Sequence, residues 1–190
     1  MRTEIRTLLT RTGISALFVT HDQAEAFAVA DRVALLNAGR IEQIGPPDEL
    51  YEHPATRFAA SFLGGCNLIE GRVLEAAGGG LMVDAFGRRL AATWPAGVAL
   101  PATGARVTLA VRPHHIEVGD SSDERYENRI GGTVAALEYF GWLSRVTVSC
   151  ADGGSVLLEA PGRVAFAPGD TVALRWRAAH SWAIAEAGPS

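Results

Sequence analysis

The chain has 190 residues, 48% hydrophobic and 20% charged, with 21 glycines and 9 prolines, a globular composition that excludes a disordered or collagen-like protein. No stretch reaches the roughly 18 consecutive apolar residues of a membrane-spanning helix, and the opening MRTEIRTLLTRTG lacks the apolar core and cleavage site of a secretory leader. All 17 basic residues are arginine, which excludes from these residues any function built on a lysine ammonium, such as a phosphate-loop lysine or a Schiff base. The net charge is −4, with 6 Arg against 8 acids in residues 1–64 and 11 against 13 in residues 65–190, so neither part offers the basic surface of a nucleic-acid binder. Cys66 and Cys150 have no CxxC spacing and fit a reduced compartment, which reads as cytosolic.

In chain order, Met1, Ile5, Leu8 and Leu9 lie at helical spacing and stop at Gly13, a natural helix end. The apolar run Ile14–Thr20 is rich in strand formers and predicts a buried parallel strand. Asp22 is placed to cap a following helix, with Glu25 at capping-box spacing. Residues Arg32–Leu36 and Arg40–Ile44 predict two strands joined by the hairpin signal Asn37-Ala38-Gly39. Gly45-Pro46-Pro47-Asp48 opens another helix, and Thr56–Leu63 a further one that ends at Gly64-Gly65. That double glycine divides the chain into residues 1–64 and 65–190.

Beyond it come short alternating strands separated by Gly, Pro and Asp, which predict an all-β domain. This region repeats itself. Residues 67–73 and 128–134 both read N-x-I-x-G-x-V, and Gly104–Arg112 with His115 matches Gly169–Arg177 with His180. Two related β units of about 60 residues predict a small barrel or a pair of barrel halves. The acidic segment 119–127 between them reads as a solvated connection.

His21 is the first candidate for chemistry, because the end of a parallel strand just before a helix is where open α/β sheets place ligand-contacting groups. Asp22 suits capping better than catalysis, and Gln23 and Glu25 suit structural roles. His114, His115 and His180 raise a metal reading, but no cysteine or carboxylate cluster supports it, and no metal site is expected. Trp142, Trp176 and Trp182 could stack on bases, yet without a basic groove a barrel core or a dimer seam is the better expectation. Packing is also expected for Tyr139-Phe140-Gly141.

Residues 17–45, LFVTHDQAEAFAVADRVALLNAGRIEQIG, followed by PPDELYEHPATRFAASFLG, strongly resemble the end of the nucleotide-binding domain of ABC transporter ATPases, nearest to importer subunits for polyamines, ferric iron, sulfate or maltose. Through this resemblance His21 takes the role of the switch histidine, the catalytic and nucleotide-contacting residue that meets the γ-phosphate of ATP. An imidazole N–H can donate to a phosphate oxygen while charge builds there. The resemblance implies ATP and Mg2+ as cofactors of the full subunit. The Walker A and B motifs, the signature motif and the family's catalytic glutamate are not among these residues, so the expectation is an inactive piece whose Met1 is a truncation point or internal start.

Asn67 to Ala185 looks like the TOBE regulatory domain of the same subunits, a barrel of oligonucleotide/oligosaccharide-binding (OB) type, through the N-x-I-x-G-x-V openings, LAVRPHHIEV and GDTVALRWRAAHSWAI. The fold class expected is thus an α/β fragment of a P-loop ATPase followed by an all-β OB-type barrel with an internal repeat. Implied partners are a second copy of the subunit in a homodimer, transmembrane permease subunits and a solute-binding protein, at the inner face of the cell membrane, with no nucleic acid. The alternative is a free-standing cytosolic module that binds a small ligand or oxyanion. With no parallel neighbours, Ile14–Thr20 should leave apolar surface exposed unless a second copy covers it.

Overall fold

The computed structural model describes residues 2–119, 123–151 and 153–185, which divide into two compact units, residues 1–63 and 64–190. Each has its own core.

In the first unit, α1 (Arg2–Thr12) ends where the Gly13 amide donates to the Leu9 carbonyl at 3.0 Å. Residues 14–20 then form neither helix nor strand. This corrects the expectation of a buried strand: Leu17 is 95% exposed and Val19 88%. A parallel strand is stable only with neighbours on its edges and layers on both faces. The described residues of this unit supply only a two-stranded antiparallel hairpin, not a P-loop sheet. The apolar composition is that of a strand; the partners that would make it one are not here. The consequence foreseen for an unpaired run, exposed apolar surface, is observed.

The short helix α2 (Gln23–Val29) follows, and the hairpin pairs β1 (Val33–Asn37) with β2 (Arg40–Gly45). Its two-residue turn puts Ala38 at φ 48° and Gly39 at φ 78°, the left-handed pair that matches strand twist. Next come α3 (Pro47–Glu52), started by its proline, and α4 (Arg57–Phe62), capped by the Thr56 hydroxyl, which accepts from the Ala59 amide at 3.1 Å. Leu35, Leu50, Ala59 and Leu63 form the small core, with Phe27 and Tyr51 packed against it and edge-on to each other.

The second unit is all β. Its first repeat supplies β3 (Asn67–Ala77), β4 (Gly80–Ala85), β5 (Arg88–Thr93), β6 (Arg106–Val111) and β7 (Glu117–Val118). The second supplies β8 (Asn128–Tyr139), β9 (Leu143–Cys150), β10 (Ser155–Pro161), β11 (Thr171–Trp176) and β12 (Trp182–Ala185). One sheet closes into a barrel in the order β12-β5-β4-β3-β6; the other is open, in the order β10-β9-β8-β11-β7. Each repeat therefore gives its last strand to the other. The registers agree: Trp182 faces Ala110 on β6, and at the equivalent place Glu117 faces Arg175 on β11.

The repeated motif explains itself position by position. Ile69 and Ile130, Val73 and Val134 are buried in the shared core. Gly71 and Gly132 have no room for a side chain: a Cβ at Gly71 would come within 2.4 Å of Val83, and one at Gly132 within 2.5 Å of the Ser149 carbonyl. A register shift follows in each strand, at Val73/Glu75 and Val134/Ala136, bending it around the core. The asparagines cross between repeats. Asn67 accepts from the Leu157 amide at 2.7 Å and donates to the Leu157 carbonyl at 2.8 Å; Asn128 does the same with Ala91, at 2.6 and 2.8 Å.

Candidate functional site

His21 is exposed and sits one residue before the cap of α2. Asp22 caps that helix as expected, its carboxylate accepting from the Glu25 amide at 3.1 Å. The return half of a capping box is replaced by a relay. The Asp22 amide donates to the Thr20 hydroxyl at 3.0 Å, and that hydroxyl donates to the Glu25 carboxylate at 2.9 Å. The Gln23 side chain donates to the Phe62 carbonyl and ties the start of α2 to the end of α4. Asp22, Gln23 and Glu25 thus fix the backbone on which His21 stands, and the ring itself is left open to solvent. Such a ring can donate one hydrogen bond to a phosphate oxygen. As a fit for ATP this is partial: the residues present offer that one donor and no lysine to cradle the phosphates.

In the second unit the histidines meet by symmetry. His115 ends the single 3-10 turn Pro113–His115, His180 ends the equivalent turn Ala178–His180, and their rings stack with centroids 3.8 Å apart and planes 13° from parallel. His114 adds a tilted ring at 4.2 Å from His115. The turn at Pro113–His115 directly after β6 is the one the sequence predicts for these residues.

The tryptophans separate. Trp176 is fully buried and donates from Nε1 to the Ser181 hydroxyl at 2.7 Å, and Trp182 is half-buried. Trp142 is 77% exposed, so of the two places expected for it, a barrel core or a dimer seam, the core is excluded. Tyr139 and Phe140 are also exposed, against the expectation of packing. The physical reason is position: Tyr139 is the last residue of β8, paired with Ser144, and Phe140 and Trp142 lie past it in the tip of the β8–β9 hairpin. Arg163 lies 4.9 Å over the Tyr139 ring and Arg145 5.4 Å over that of Phe140.

Two further features escaped the sequence. A cleft of about 580 Å3 opens between β7 and β10, walled by Ile116, Glu117, Leu158, Ala160, Val164 and Phe166 among others. Beside it is an ionic knot. Arg125 grips the Asp123 carboxylate at 2.7 and 3.0 Å, Arg175 reaches it at 3.2 Å, and the Tyr126 hydroxyl donates to Glu117 at 2.8 Å. The Arg125 hydrogen bond, with the charges of Arg125 and Arg175, holds the Asp123 carboxyl below the usual carboxylate range; donation to Glu117 pushes the Tyr126 phenol up. A depressed carboxyl favours the folded state above its unfolded pKa, and that contribution is lost as pH falls through the folded pKa. Asp123→Asn should therefore flatten the loss of stability between about pH 4 and the acid limit, read by urea unfolding at several pH values; an unchanged acid limb would refute it.

Residues 109–184 match the TOBE domain family model. A spermidine/putrescine import ATP-binding protein from Rubrobacter xylanophilus is 37% identical over 184 residues, covering 95% of this chain and 48% of that protein. A similar protein from Thermobifida fusca is 33% identical over 189 residues, covering 97% of this chain and 48% of its own length. An sn-glycerol-3-phosphate import ATP-binding protein from Agrobacterium fabrum is 40% identical over 167 residues, 86% of this chain and 43% of that protein. Among solved structures, the cytoplasmic molybdate-binding protein ModG superposes with a TM-score of 0.52 at 20% identity, covering 63% of this chain and 96% of ModG, a likeness of fold alone.

The second unit thus carries a TOBE domain, a β structure in which one sheet closes into a barrel. The chain as a whole belongs with the ATP-binding subunits of ABC importers and spans about half the length of the relatives it matches.

Proposed function

We propose that the chain is the C-terminal part of the ATP-hydrolysing subunit of an ABC importer that takes up a polyamine, ferric iron or a similar solute. In this reading residues 1–64 are the end of the nucleotide-binding domain, residues 65–190 are the regulatory domain, and His21 is the switch histidine. The observation that carries it is the relationship along 95% of the chain to an import ATP-binding protein, including the segment around His21. The geometry supports it: an exposed imidazole on a backbone fixed by Asp22, Thr20 and Glu25 is poised to meet a γ-phosphate brought from outside these residues. ATP and Mg2+ would be held by parts of the subunit other than the residues described, which supply no lysine. Two subunits would close on ATP and reset the permease on hydrolysis, at the inner face of the membrane, while the 190 residues alone stay inactive. No helix of the described residues is long and apolar enough to cross a membrane.

Hydrogen exchange tests the reading. Amides of residues 14–20 should exchange freely in the 190-residue chain. They should slow roughly 100-fold when the chain is fused behind the N-terminal half of the Rubrobacter relative, because the run then becomes an interior strand. Unchanged exchange in an ATP-binding fusion would overturn it.

The alternative, a free-standing oxyanion-binding module, draws on the likeness to ModG in fold. Glu117 and Glu159 at the cleft speak against an anion there. Micromolar affinity for molybdate in calorimetry would reverse the preference.

A further inference from the structure

We infer that two copies of this chain pair by seating Trp142 of each in the cleft between β7 and β10 of the other. This deepens the homodimer of the proposed function by naming its surface.

The argument begins with the asymmetry of the two repeats. In the first, the corner where the exchanged strand meets its neighbour is shut. β12 pairs with β5 through Trp182 and Thr93, the Thr93 amide donates to the Ser181 carbonyl at 2.8 Å, and the Trp94 indole is buried in the core with Nε1 donating to the Val98 carbonyl at 3.3 Å. The second repeat has the same backbone plan, with β7 in place of β12 and β10 in place of β5, yet β7 and β10 do not pair. Laying the repeats together shows why. Trp94-Pro95-x-x-Val98-x-Leu100 corresponds to Ala160-Pro161-x-x-Val164-x-Phe166, and Trp182 corresponds to Glu117. Trp94 and Trp182 are replaced by Ala160 and Glu117, and both replacements line the cleft. It is therefore shaped for an indole, and Val164 stands where Val98 accepts the indole N–H in the first repeat.

The molecule carries a matching group on an adjoining surface. Trp142 is the most exposed tryptophan, and its carbonyl accepts from the Gly162 amide at 2.8 Å, in the segment directly after the cleft-lining Pro161. The Ser144 hydroxyl donates to the Gly162 carbonyl at 2.7 Å, so the hairpin tip is fastened beside the cleft. The equivalent β3–β4 tip of the first repeat is Gly78-Gly79, without aromatic rings. A protruding group and its receptor on adjoining surface of one molecule are what a two-fold, self-complementary contact requires. A central tryptophan in a desolvated pocket, flanked by tyrosine and arginine, has the composition of an interface hot spot.

The test uses the whole chain and two variants. Trp142→Ala alters only an exposed side chain, and Ala160→Trp copies the residue that the first repeat already accommodates. Sedimentation should find the wild type dimerising and each variant weakened roughly 30-fold or more. An equimolar mixture of the two variants should associate more strongly than either alone, because it restores one of the two Trp142–cleft contacts. In 19F NMR of fluorotryptophan-labelled protein, the Trp142 resonance should move with concentration in the wild type and stay fixed in Ala160→Trp. The inference fails if both variants dimerise like the wild type, which would leave the proposed homodimer standing on another surface. It also fails if the variant mixture associates no more strongly than either variant alone, or if free indole fills the cleft of a wild type that remains monomeric.

Discussion

Replacing Asn128 with alanine should lower the stability of residues 64–190 by about 3 kcal/mol, because a fully buried side chain that serves three partners would be lost. Its amide donates to the Ala91 carbonyl and, at 3.1 Å, to the Ser181 hydroxyl, while its oxygen accepts from the Ala91 amide at 2.6 Å. The Ser181 hydroxyl is itself the acceptor for the buried Trp176 indole. Alanine would strand two backbone groups of β5, each worth about 1–3 kcal/mol when desolvated and unpaired. Along this edge β5 joins β12 only at Thr93, so no neighbouring strand replaces the lost partner. Asn67→Ala should act in the same direction, since Asn67 is also buried and serves the Leu157 amide and carbonyl and, at 3.2 Å, the Val111 carbonyl. Urea unfolding of both variants measures this. A shift below about 0.5 kcal/mol for Asn128→Ala would mean that the crossing asparagines do not hold the repeats together.

His21→Ala, introduced into an active full-length subunit that carries these residues, should lower the rate of ATP hydrolysis roughly 100- to 1,000-fold with little change in nucleotide affinity. That is the scale seen when one positioned donor to a developing oxyanion is removed. The ring packs against nothing that the fold needs, since it is exposed and precedes the helix cap. Stability should therefore hold while turnover falls. Asp22→Ala should do the reverse in degree: it costs the cap of α2, about 1 kcal/mol, and disturbs hydrolysis only through the position of His21. A phosphate-release assay with single-turnover controls separates the two. Full activity in His21→Ala would remove the switch role.

Local chemistry made much of this legible from the residues. The Asn37-Ala38-Gly39 turn, the Asp22 cap and the proline at the start of α3 each act within a few positions, and the structure has them where the sequence predicts. The N-x-I-x-G-x-V repeat was visible too, and two of its positions are inward-facing residues. What the sequence could not convey were the pairings between distant residues. β7 has two residues and β12 four, too few to signal a partner, and their exchange depends on the other repeat. Residues 14–20 mislead for the opposite reason, because their composition describes a sheet that these residues do not contain. The cleft does have a signal in the residues: in the internal repeat Ala160 stands opposite Trp94, an indole missing from the second copy.

The reciprocal gift of final strands has one last effect. Two separate single-repeat polypeptides would have to find each other in solution to complete either sheet, and their assembly would weaken on dilution. Covalent connection supplies the second half at a high and fixed local concentration. With Trp142→Ala, which removes the proposed contact between copies, the β unit should accordingly melt at a temperature independent of how much protein is present, and neither half should survive alone when the chain is cut between them.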